Sequence, residues 1–486
     1  MRADMARAAE LGADMVECRL DYLPHPVSQA DLRKLLANPP LDVIVTDRPR
    51  REGGRYDGDE PQRLATLREA AEFAPSAIDV EIDTPRDEWP DGAVILSHHD
   101  FAGLPADLDA IVTRLEASDA AVNKVAFAAE NPADALRALD VVRACRKPTI
   151  ALAMGEAGIA SRILAGKFGA YGTFASLHPG AQSAPGQPTI AELKDLYRWD
   201  SIGPATKVFG VIGCPVAHSM SPAIHNAAFT AARVDGVYVP LRIEPGEANF
   251  DRFMDAVLAR DWLGWRGLSV TIPHKENALA YVGADNCDPL AGRIGAINTI
   301  TIGPDGTLRG DNTDYAAAID ALCNAMGIAR EALAGRSVAV LGAGGAARAI
   351  VAALAHYGAE TTIFNRTVKR GERLAGQFGC RAVGLGELAR LDAEIVINCT
   401  PIGMHPKVDA SPLAAIGPST KVVFDTIYNP IETKLLRQAR DAGLIGVSGL
   451  EMFVNQAVAQ FEMWNSVPAP RETMREVVLA RLSEGR

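Results

Sequence analysis

Lys124 stands inside an otherwise apolar run, Lys124-Val125-Ala126-Phe127-Ala128. A lysine in a buried strand costs stability unless a partner or a reaction requires it. At its ordinary pKa of about 10.4 the amine is a poor nucleophile near neutrality. Burial lowers that value and frees the amine to form a Schiff base with a ketone. The plain alternative is an ion pair with a glutamate from a neighbouring strand. His98-His99-Asp100 closes another strand-like run. A histidine titrating near neutrality can move the protons that imine chemistry needs. Adjacent strand residues point to opposite faces, so the two histidines are not expected to share an ion, and no metal site is expected.

A second set of residues lies at 337–367, SVAVLGAGGAARAIVAALAHYGAETTIFNRT. Val338 to Leu341 reads as a buried parallel strand. Gly342, Ala343, Gly344, Gly345 and Ala346 follow it and open an apolar helix. Glycines let the backbone turn sharply and approach a pyrophosphate at the helix N-terminus. The third glycine of that fingerprint is Ala347 here, an accepted variant. The run 361–364 supplies the next strand. An NAD site places a carboxylate at its end for the ribose hydroxyls, whereas this chain has Asn365, Arg366 and Thr367, with Lys369 and Arg370 behind. Arginine there suits the 2′-phosphate of NADP(H), which is the cofactor expected.

These residues need frameworks, and the pattern of elements provides two. Up to about residue 200, strand candidates at 15–20, 43–46, 78–82, 94–97, 124–127, 149–153 and 171–175 alternate with helical stretches such as 62–73, 108–115, 133–143 and 190–197. That repeat makes a parallel sheet with helices outside, and the number of units favours a (β/α)8-type barrel. The chain opens on a helix, so one strand of eight is missing, and a complete barrel would need another before Met1. The break at Gly203-Pro204 separates this half from a new set of strands at 208–212, 237–243, 267–272 and 297–302. These form a small α/β domain ahead of the Rossmann domain. A net charge of −11 argues against a nucleic-acid surface. No apolar run is long enough to span a bilayer, and no secretory leader is visible. Seven cysteines without regular spacing indicate neither a disulfide framework nor a zinc site, so a reducing cytoplasm is expected.

Glu17-Cys18-Arg19-Leu20-Asp21, Ser97-His98-His99-Asp100-Phe101, Lys124 in its strand, Ser161-Arg162 and Ser183-Ala184-Pro185-Gly186-Gln187 together resemble the type I 3-dehydroquinate dehydratases. The resemblance implies that Lys124 forms an imine with the substrate ketone. It implies that His99 is the general acid and base and that Glu52 orients it. Glu17, Arg19, Arg48, Arg162, Ser183 and Gln187 would hold the hydroxyls and carboxylate. The family's first strand is absent, and Cys18 replaces an aromatic residue common among relatives.

The second half carries Gly213 to Pro222, Ser269-Val270-Thr271-Ile272-Pro273-His274-Lys275, Gly295-Ala296-Ile297-Asn298-Thr299 and Gly310-Asp311-Asn312-Thr313-Asp314. With 342–366, 425–430 and 449–456, these resemble the shikimate dehydrogenases. The resemblance implies a catalytic pair, Lys275 and Asp314. Ser219, Ser221, Thr271, Asn298, Tyr428 and Gln456 would bind hydroxyls or carboxylate. Met404, Thr426 and Gly449 would line the nicotinamide end. Ser269 and His274 stand where asparagine and phenylalanine are usual. A single amphipathic helix is expected over 457–482, returning to the substrate domain.

The expected organisation is therefore a dehydratase barrel at 1–203, a substrate domain at 204–313 completed by 455–486, and an NADP-binding Rossmann domain at 314–454. The expected function is dehydration of 3-dehydroquinate to 3-dehydroshikimate and its reduction to shikimate. The small molecules are the expected partners, with no nucleic acid and no membrane; oligomeric state leaves no trace in the sequence. The rival readings are an inactive barrel on a live dehydrogenase, a second half that prefers quinate, and a ligand sensor that keeps the fold without chemistry, against which Lys124, His99, Lys275 and Asp314 argue.

Overall fold

Strands and helices alternate along the whole chain in a computed structural model that describes residues 1–484. The chain divides into two compact units, Met1–Pro222 with Asp235–Trp265, and Ala223–Val234 with everything from Arg266 onward.

The first unit is built on six parallel strands in sequential order, β1 Met15–Arg19, β2 Asp42–Thr46, β3 Ala77–Glu81, β4 Val94–Asp100, β5 Val122–Ala128 and β6 Thr149–Met154. Helices α1 Arg2–Glu10, α2 Gln29–Leu36, α3 Glu60–Ala71, α4 Leu108–Ala117, α5 Pro132–Ala144 and α6 Ile159–Ile163 join them. Local chemistry fixes where they start. Ser28 caps α2 by accepting from the Asp31 amide. Asn131 and Asp134 form a reciprocal capping box at α5, with Pro132 in the first turn, where its missing N–H costs nothing. β2 to β6 are buried on both sides over most of their length, as parallel strands covered by helices must be, while β1 at the sheet edge is mostly half-buried.

Every second strand residue shares a face. On one face Ile44, Ala77, Ile95, Val122 and Ile150 make an apolar floor, joined by Ala126, Leu152 and Met154 from the β5 and β6 ends. The same alternation puts Glu17, Thr46, Asp79, Ser97 and Lys124 on that face.

The expected seventh strand at 171–175 does not form. The Tyr171 amide donates to the Thr149 carbonyl beside β6, and the chain then runs irregularly to one bridge between Ser176 and Thr189. Gly169, Gly172 and Pro179 around this short stretch work against a regular ladder. The helix expected over 190–197 is present, with a wide π turn at Glu192–Leu196.

The first unit also includes β7 Lys207–Gly213 and β8 Gly236–Arg242, a parallel pair, and α8 Glu247–Leu258. This segment is tied to the outer helices of the first sheet. Arg260 bonds both oxygens of Asp140 on α5 at 2.9 and 2.7 Å, and Arg252 reaches Asp134 at 2.5 Å. The Trp262 ring meets Phe168 edge-on and carries the Arg143 guanidinium on its face.

Helix α7, Ser221–Ala232, belongs to the second unit from Ala223 on. That unit continues with β9 Trp265–Val270 from Arg266 on, then α9 Lys275–Val282, α10 Pro289–Ile294, β10 Thr299–Ile302 and β11 Leu308–Asp311. β10 pairs antiparallel with both β9 and β11. Helix α11, Thr313–Met326, leads to a parallel sheet of β12 Ser337–Leu341, β13 Glu360–Asn365, β14 Arg381–Gly384, β15 Ile395–Asn398, β16 Val422–Asp425 and β17 Ile445–Ser448. Their order, β14-β13-β12-β15-β16-β17, is that of the doubly wound dinucleotide fold, with its switch point between β12 and β15. Helices α12 Gly345–His356, α13 Val368–Phe378 and α14 Lys434–Asp441 flank it. The chain closes on α15 Gly449–Asn465 and α16 Arg471–Glu484. The single helix expected over 457–482 is thus two. Ser466 turns into the left-handed region at φ 54°, and Pro468 and Pro470 follow, so the first helix cannot continue. Among the described residues no helix is long and apolar enough to cross a membrane, and all seven cysteines are free.

Candidate active sites

The residues expected to serve the first reaction meet in one pocket. Glu17, Arg19, Arg48, Glu52, His99, Lys124, Arg162, Ser183 and Gln187 all line it, at the carboxyl ends of the parallel strands. Strand alternation explains the selection. His99 faces the pocket, and its neighbour His98 is not among the lining residues.

Lys124 is 5% exposed and holds two carboxylates, Asp79 at 2.7 Å and Glu17 at 3.5 Å. The ammonium also lies 4.6 Å from the centre of the Phe174 ring. Asp79 is the centre of the cluster. It bonds Lys124 through one oxygen, and Arg48 and the Ser97 hydroxyl through the other, at 2.7 and 2.6 Å. Burial alone would raise the Asp79 carboxyl, but Arg48 and Lys124 outweigh it and hold the group well below the carboxylate range. Arg48 continues to Glu81, which also takes Arg63.

Glu52 accepts two bonds from His99, one from the backbone amide and one at Nδ1, both 2.9 Å. Together they fix the ring so that Nε2 is the free nitrogen. Burial, with the Arg48 and Lys124 charges, pushes the His99 pKa well down, so the ring rests neutral. Burial raises Glu52 to about 7. Arg162 differs from the other arginines. It is 1% exposed, its Nε has no hydrogen-bond partner, and it forms no ion pair among the described residues. Burial lowers its pKa to about 10. A buried guanidinium without an anion costs several kcal/mol, and an incoming carboxylate removes that cost. Gln187 turns its oxygen to the Ser183 amide at 2.9 Å, leaving its NH2 as the donor end.

Sequence reasoning missed Asp79 and Phe174. Asp79 carried a signal, because it lies two residues before Glu81 in an apolar strand and so shares its face. Phe174 carried none, since it lies in the irregular stretch. Asp47, next in sequence to Arg48 of the pocket, is a further buried acid. Both its oxygens lack a hydrogen-bond donor, and the nearest basic side chain is the His25 ring, at 3.6 Å. Burial, aided by the Asp21 charge, raises its pKa to about 7. A carboxyl raised on folding contributes stability below its unfolded pKa and loses it as pH climbs through the folded value. Glu52 acts in the same direction. Thermal unfolding of the first unit should therefore fall from pH 5.5 to pH 8, and Asp47→Asn should flatten the fall and raise the midpoint at pH 8 by a few degrees. Equal slopes in the two chains, followed by calorimetry, would contradict this.

In the second unit, β9 ends at Val270, and a tight turn from Thr271 to His274 places Lys275 at the first position of α9. His274 fills its position as a fully buried ring, with the Asn277 amide 3.1 Å from Nδ1. Asp314 sits in the first turn of α11, behind the Asn312 cap. Lys275 Nζ lies 2.5 Å from Asp314 Oδ2, and Asn298 Nδ2 donates to Asp314 Oδ1 at 2.9 Å. Tyr428 stacks on Phe453 at 4.6 Å, and Gln456 donates to the Phe453 carbonyl. Ser219 and Ser221, in the first unit, are linked by the Ser221 amide donating to the Ser219 hydroxyl at 3.3 Å, where α7 begins.

The dinucleotide region matches NADP(H) in shape and charge. Gly342 has φ +108°, a conformation side chains resist. A Cβ at Gly344 or Gly345 would meet nothing within 4 Å, so open space lies over the start of α12. No side chain caps that helix, which leaves its first N–H groups for a phosphate. Ala343 is half-buried and Ala346 exposed beside them. Asn365 bonds the Thr367 carbonyl, which shapes the turn after β13. Arg366, Thr367, Lys369 and Arg370 are exposed, and none of the three cations forms an ion pair among the described residues. Thr426 bonds the Asn398 carbonyl, and Met404 is exposed. Gly449 is needed for close approach, since a Cβ there would lie 2.3 Å from the Thr426 carbonyl.

A carboxyl-end lysine–histidine pocket on a parallel α/β sheet, followed by a lysine–aspartate pair and a Rossmann domain, defines a fusion of two α/β enzymes. Family models match in the same order, as type I 3-dehydroquinase over residues 1–204 and shikimate dehydrogenase substrate-binding domain over 211–300. Shikimate/quinate 5-dehydrogenase follows over 325–435, and the shikimate 5′-dehydrogenase C-terminal domain over 449–479. A chloroplastic bifunctional 3-dehydroquinate dehydratase/shikimate dehydrogenase of Arabidopsis thaliana is 40% identical across 98% of this chain and 82% of its own length. An NADP(+) shikimate dehydrogenase of Methanosarcina acetivorans is 43% identical over 57% of this chain and 99% of its own. A crystal structure of a shikimate dehydrogenase in complex with NADP+ superposes with TM-score 0.51 and 37% identity, over 57% of this chain and 96% of that one. The chain belongs to the family of bifunctional 3-dehydroquinate dehydratase/shikimate dehydrogenases.

Proposed function

We propose that the chain converts 3-dehydroquinate to 3-dehydroshikimate at the first site and reduces that product to shikimate with NADPH at the second. The observation that carries the first half of this reading is Arg162, a buried guanidinium lacking an anion in the pocket that holds Lys124. The substrate carboxylate supplies that anion, with Ser183 and Gln187 beside it, and Glu17, Arg19 and Arg48 take the hydroxyls. Bound there, the ketone meets the Lys124 amine after its proton has passed to a neighbouring base. The amine adds to the carbonyl carbon, and water leaves as the imine forms. The protonated imine draws electrons from the adjacent C–H bond, whose proton goes to a base. The electron pair then expels the β-hydroxyl, which takes the proton that His99 Nε2 has accepted from that C–H bond, so that a second water departs. Hydrolysis consumes one water and returns the free lysine, giving a net loss of one. Glu52 holds His99 in the tautomer these transfers require.

At the second site NADPH supplies a hydride to the carbonyl carbon. The α12 N-terminus holds the pyrophosphate, and Arg366, with Lys369 and Arg370, holds the 2′-phosphate. Lys275 gives the proton to the carbonyl oxygen, and Asp314 keeps the ammonium in place. Thr271, Asn298, Tyr428 and Gln456, with Ser219 and Ser221, take the remaining hydroxyls and the carboxylate. Met404, Thr426 and Gly449 bound the nicotinamide end. This reading divides the chain by function at 203/204 and 313/314, with 455–486 assigned to the substrate domain, a division that differs from the two compact units. Free cysteines suit a reducing compartment such as the cytoplasm.

The first half is tested by mixing the protein with 3-dehydroquinate and sodium borohydride. Reduction of the imine fixes the ligand covalently, and the mass gain maps to the peptide containing Lys124. A protein that turns over 3-dehydroquinate without any adduct contradicts the imine. For the second half, Arg366→Ala should raise KM for NADPH about tenfold to a hundredfold, the range of a lost charge-assisted contact. KM for NADH should stay near that of the parent. Equal losses with both nucleotides would contradict a 2′-phosphate role.

A further inference from the structure

We propose that Gln460, on α15, is a positioning residue for the Lys275–Asp314 pair, an inference that rests on the dehydrogenase reading above. Gln460 is 1% exposed and touches neither member of the pair directly. It reaches them through a chain of hydrogen bonds that each run in one direction.

The Ser269 hydroxyl donates to Gln460 Oε1 at 2.8 Å. The Asn298 carbonyl can only accept, so the amide end beside it is the NH2, and Nε2 faces β10. There it donates to Thr299 Oγ1 at 3.0 Å and to the Asn298 carbonyl at 3.4 Å. Having accepted one bond, the Thr299 hydroxyl sends its own proton to Asn298 Oδ1 at 2.8 Å. The Thr313 amide donates to the same oxygen at 2.8 Å. Asn298 is thereby turned with Nδ2 towards Asp314 Oδ1, at 2.9 Å, which leaves Oδ2 for Lys275. A carboxylate with one oxygen committed to Asn298 can offer the lysine only the other. The position of the proton donor is thus set in part from α15.

The helix is itself held where this requires. Trp464 Nε1 donates to the Ile300 carbonyl on β10, and Asn455 donates to the Ala317 carbonyl on α11, the helix that carries Asp314. Ser269 also gains a purpose here. At a position where asparagine is usual, its small hydroxyl serves as the donor that orients Gln460.

The sharp variant is Gln460→Glu, because it keeps the shape and reverses the polarity. A carboxylate only accepts, so the Thr299 hydroxyl turns to donate to it and Asn298 Oδ1 loses that donor. Ser269→Ala is the milder companion, since it frees the Gln460 amide to flip while removing one oxygen. Both are made in the full chain and assayed with NADPH and 3-dehydroshikimate across pH. Binding of NADPH is followed separately by its fluorescence. The inference predicts that kcat falls about tenfold in Gln460→Glu and less in Ser269→Ala. It also predicts a displaced pH–kcat profile and unchanged NADPH affinity. It is overturned if both variants keep kcat within about twofold of the parent with the same profile, or if kcat falls only in proportion to NADPH-binding-competent protein. A parent chain that does not reduce 3-dehydroshikimate would instead overturn the dehydrogenase reading itself.

Discussion

Lys124→Met should abolish dehydration of 3-dehydroquinate and leave the NADPH-dependent reduction of 3-dehydroshikimate intact. The expected loss is on the order of 10^4-fold or more, because in the proposed mechanism this residue forms the covalent intermediate and nothing else in the pocket can replace it. Methionine keeps the length and apolar stem of lysine, so the sheet face beneath is not opened. Its loss leaves Asp79 with Arg48 and Ser97 as partners, so the cluster stays charged-compensated. The borohydride adduct should vanish with the activity. The second activity, on the same polypeptide, reports that the protein is folded and present. A Lys124→Met chain that still dehydrates the substrate at a tenth of the parent rate would remove the imine from the mechanism.

Asp314→Asn should have the opposite pattern. Reduction of 3-dehydroshikimate should fall about 10^2- to 10^4-fold in kcat, the range for removing general acid–base catalysis, while dehydration is unchanged. The amide still fits between Asn298 and Lys275, but it offers the ammonium no charge. It also sets an NH2 group against either the Asn298 amide or the lysine, so one contact becomes repulsive. KM for NADPH should hold, because the nucleotide cradle at Gly342 and Arg366 is built on β12 and β13. A fall confined to KM for the substrate, with kcat intact, would recast Asp314 as a binding residue.

Much of this molecule can be read from residue order, and the reasons are local. Strand β12, its glycines and α12 announce themselves because a parallel strand, a tight turn and an apolar helix leave period and composition behind. Arg366 is informative because only its chemical type matters there. Lys124 stood out because a lysine in an apolar strand violates the ordinary pattern. What could not be read depends on tertiary context. Phe174 approaches Lys124 from a stretch whose irregular path no periodicity encodes. Gln460 lies one helical turn beyond Gln456, and only the packing of α15 against β10 leaves the first buried and the second half-buried. The break at Ser466 was carried by Pro468 and Pro470, which the amphipathic pattern on either side obscured. Asp79 lies between these cases, visible by alternation with Glu81 but understood only once its three partners are in place.

The central claim is that one polypeptide performs two consecutive reactions. It is tested most directly by giving the purified chain 3-dehydroquinate and NADPH, with no other enzyme, and following absorbance at the nicotinamide band. NADPH is expected to disappear after a short lag, as the first site builds up the substrate of the second, with shikimate as the final product. A chain that consumes NADPH with 3-dehydroshikimate but not with 3-dehydroquinate would contradict it, and would leave the first unit a folded pocket without turnover.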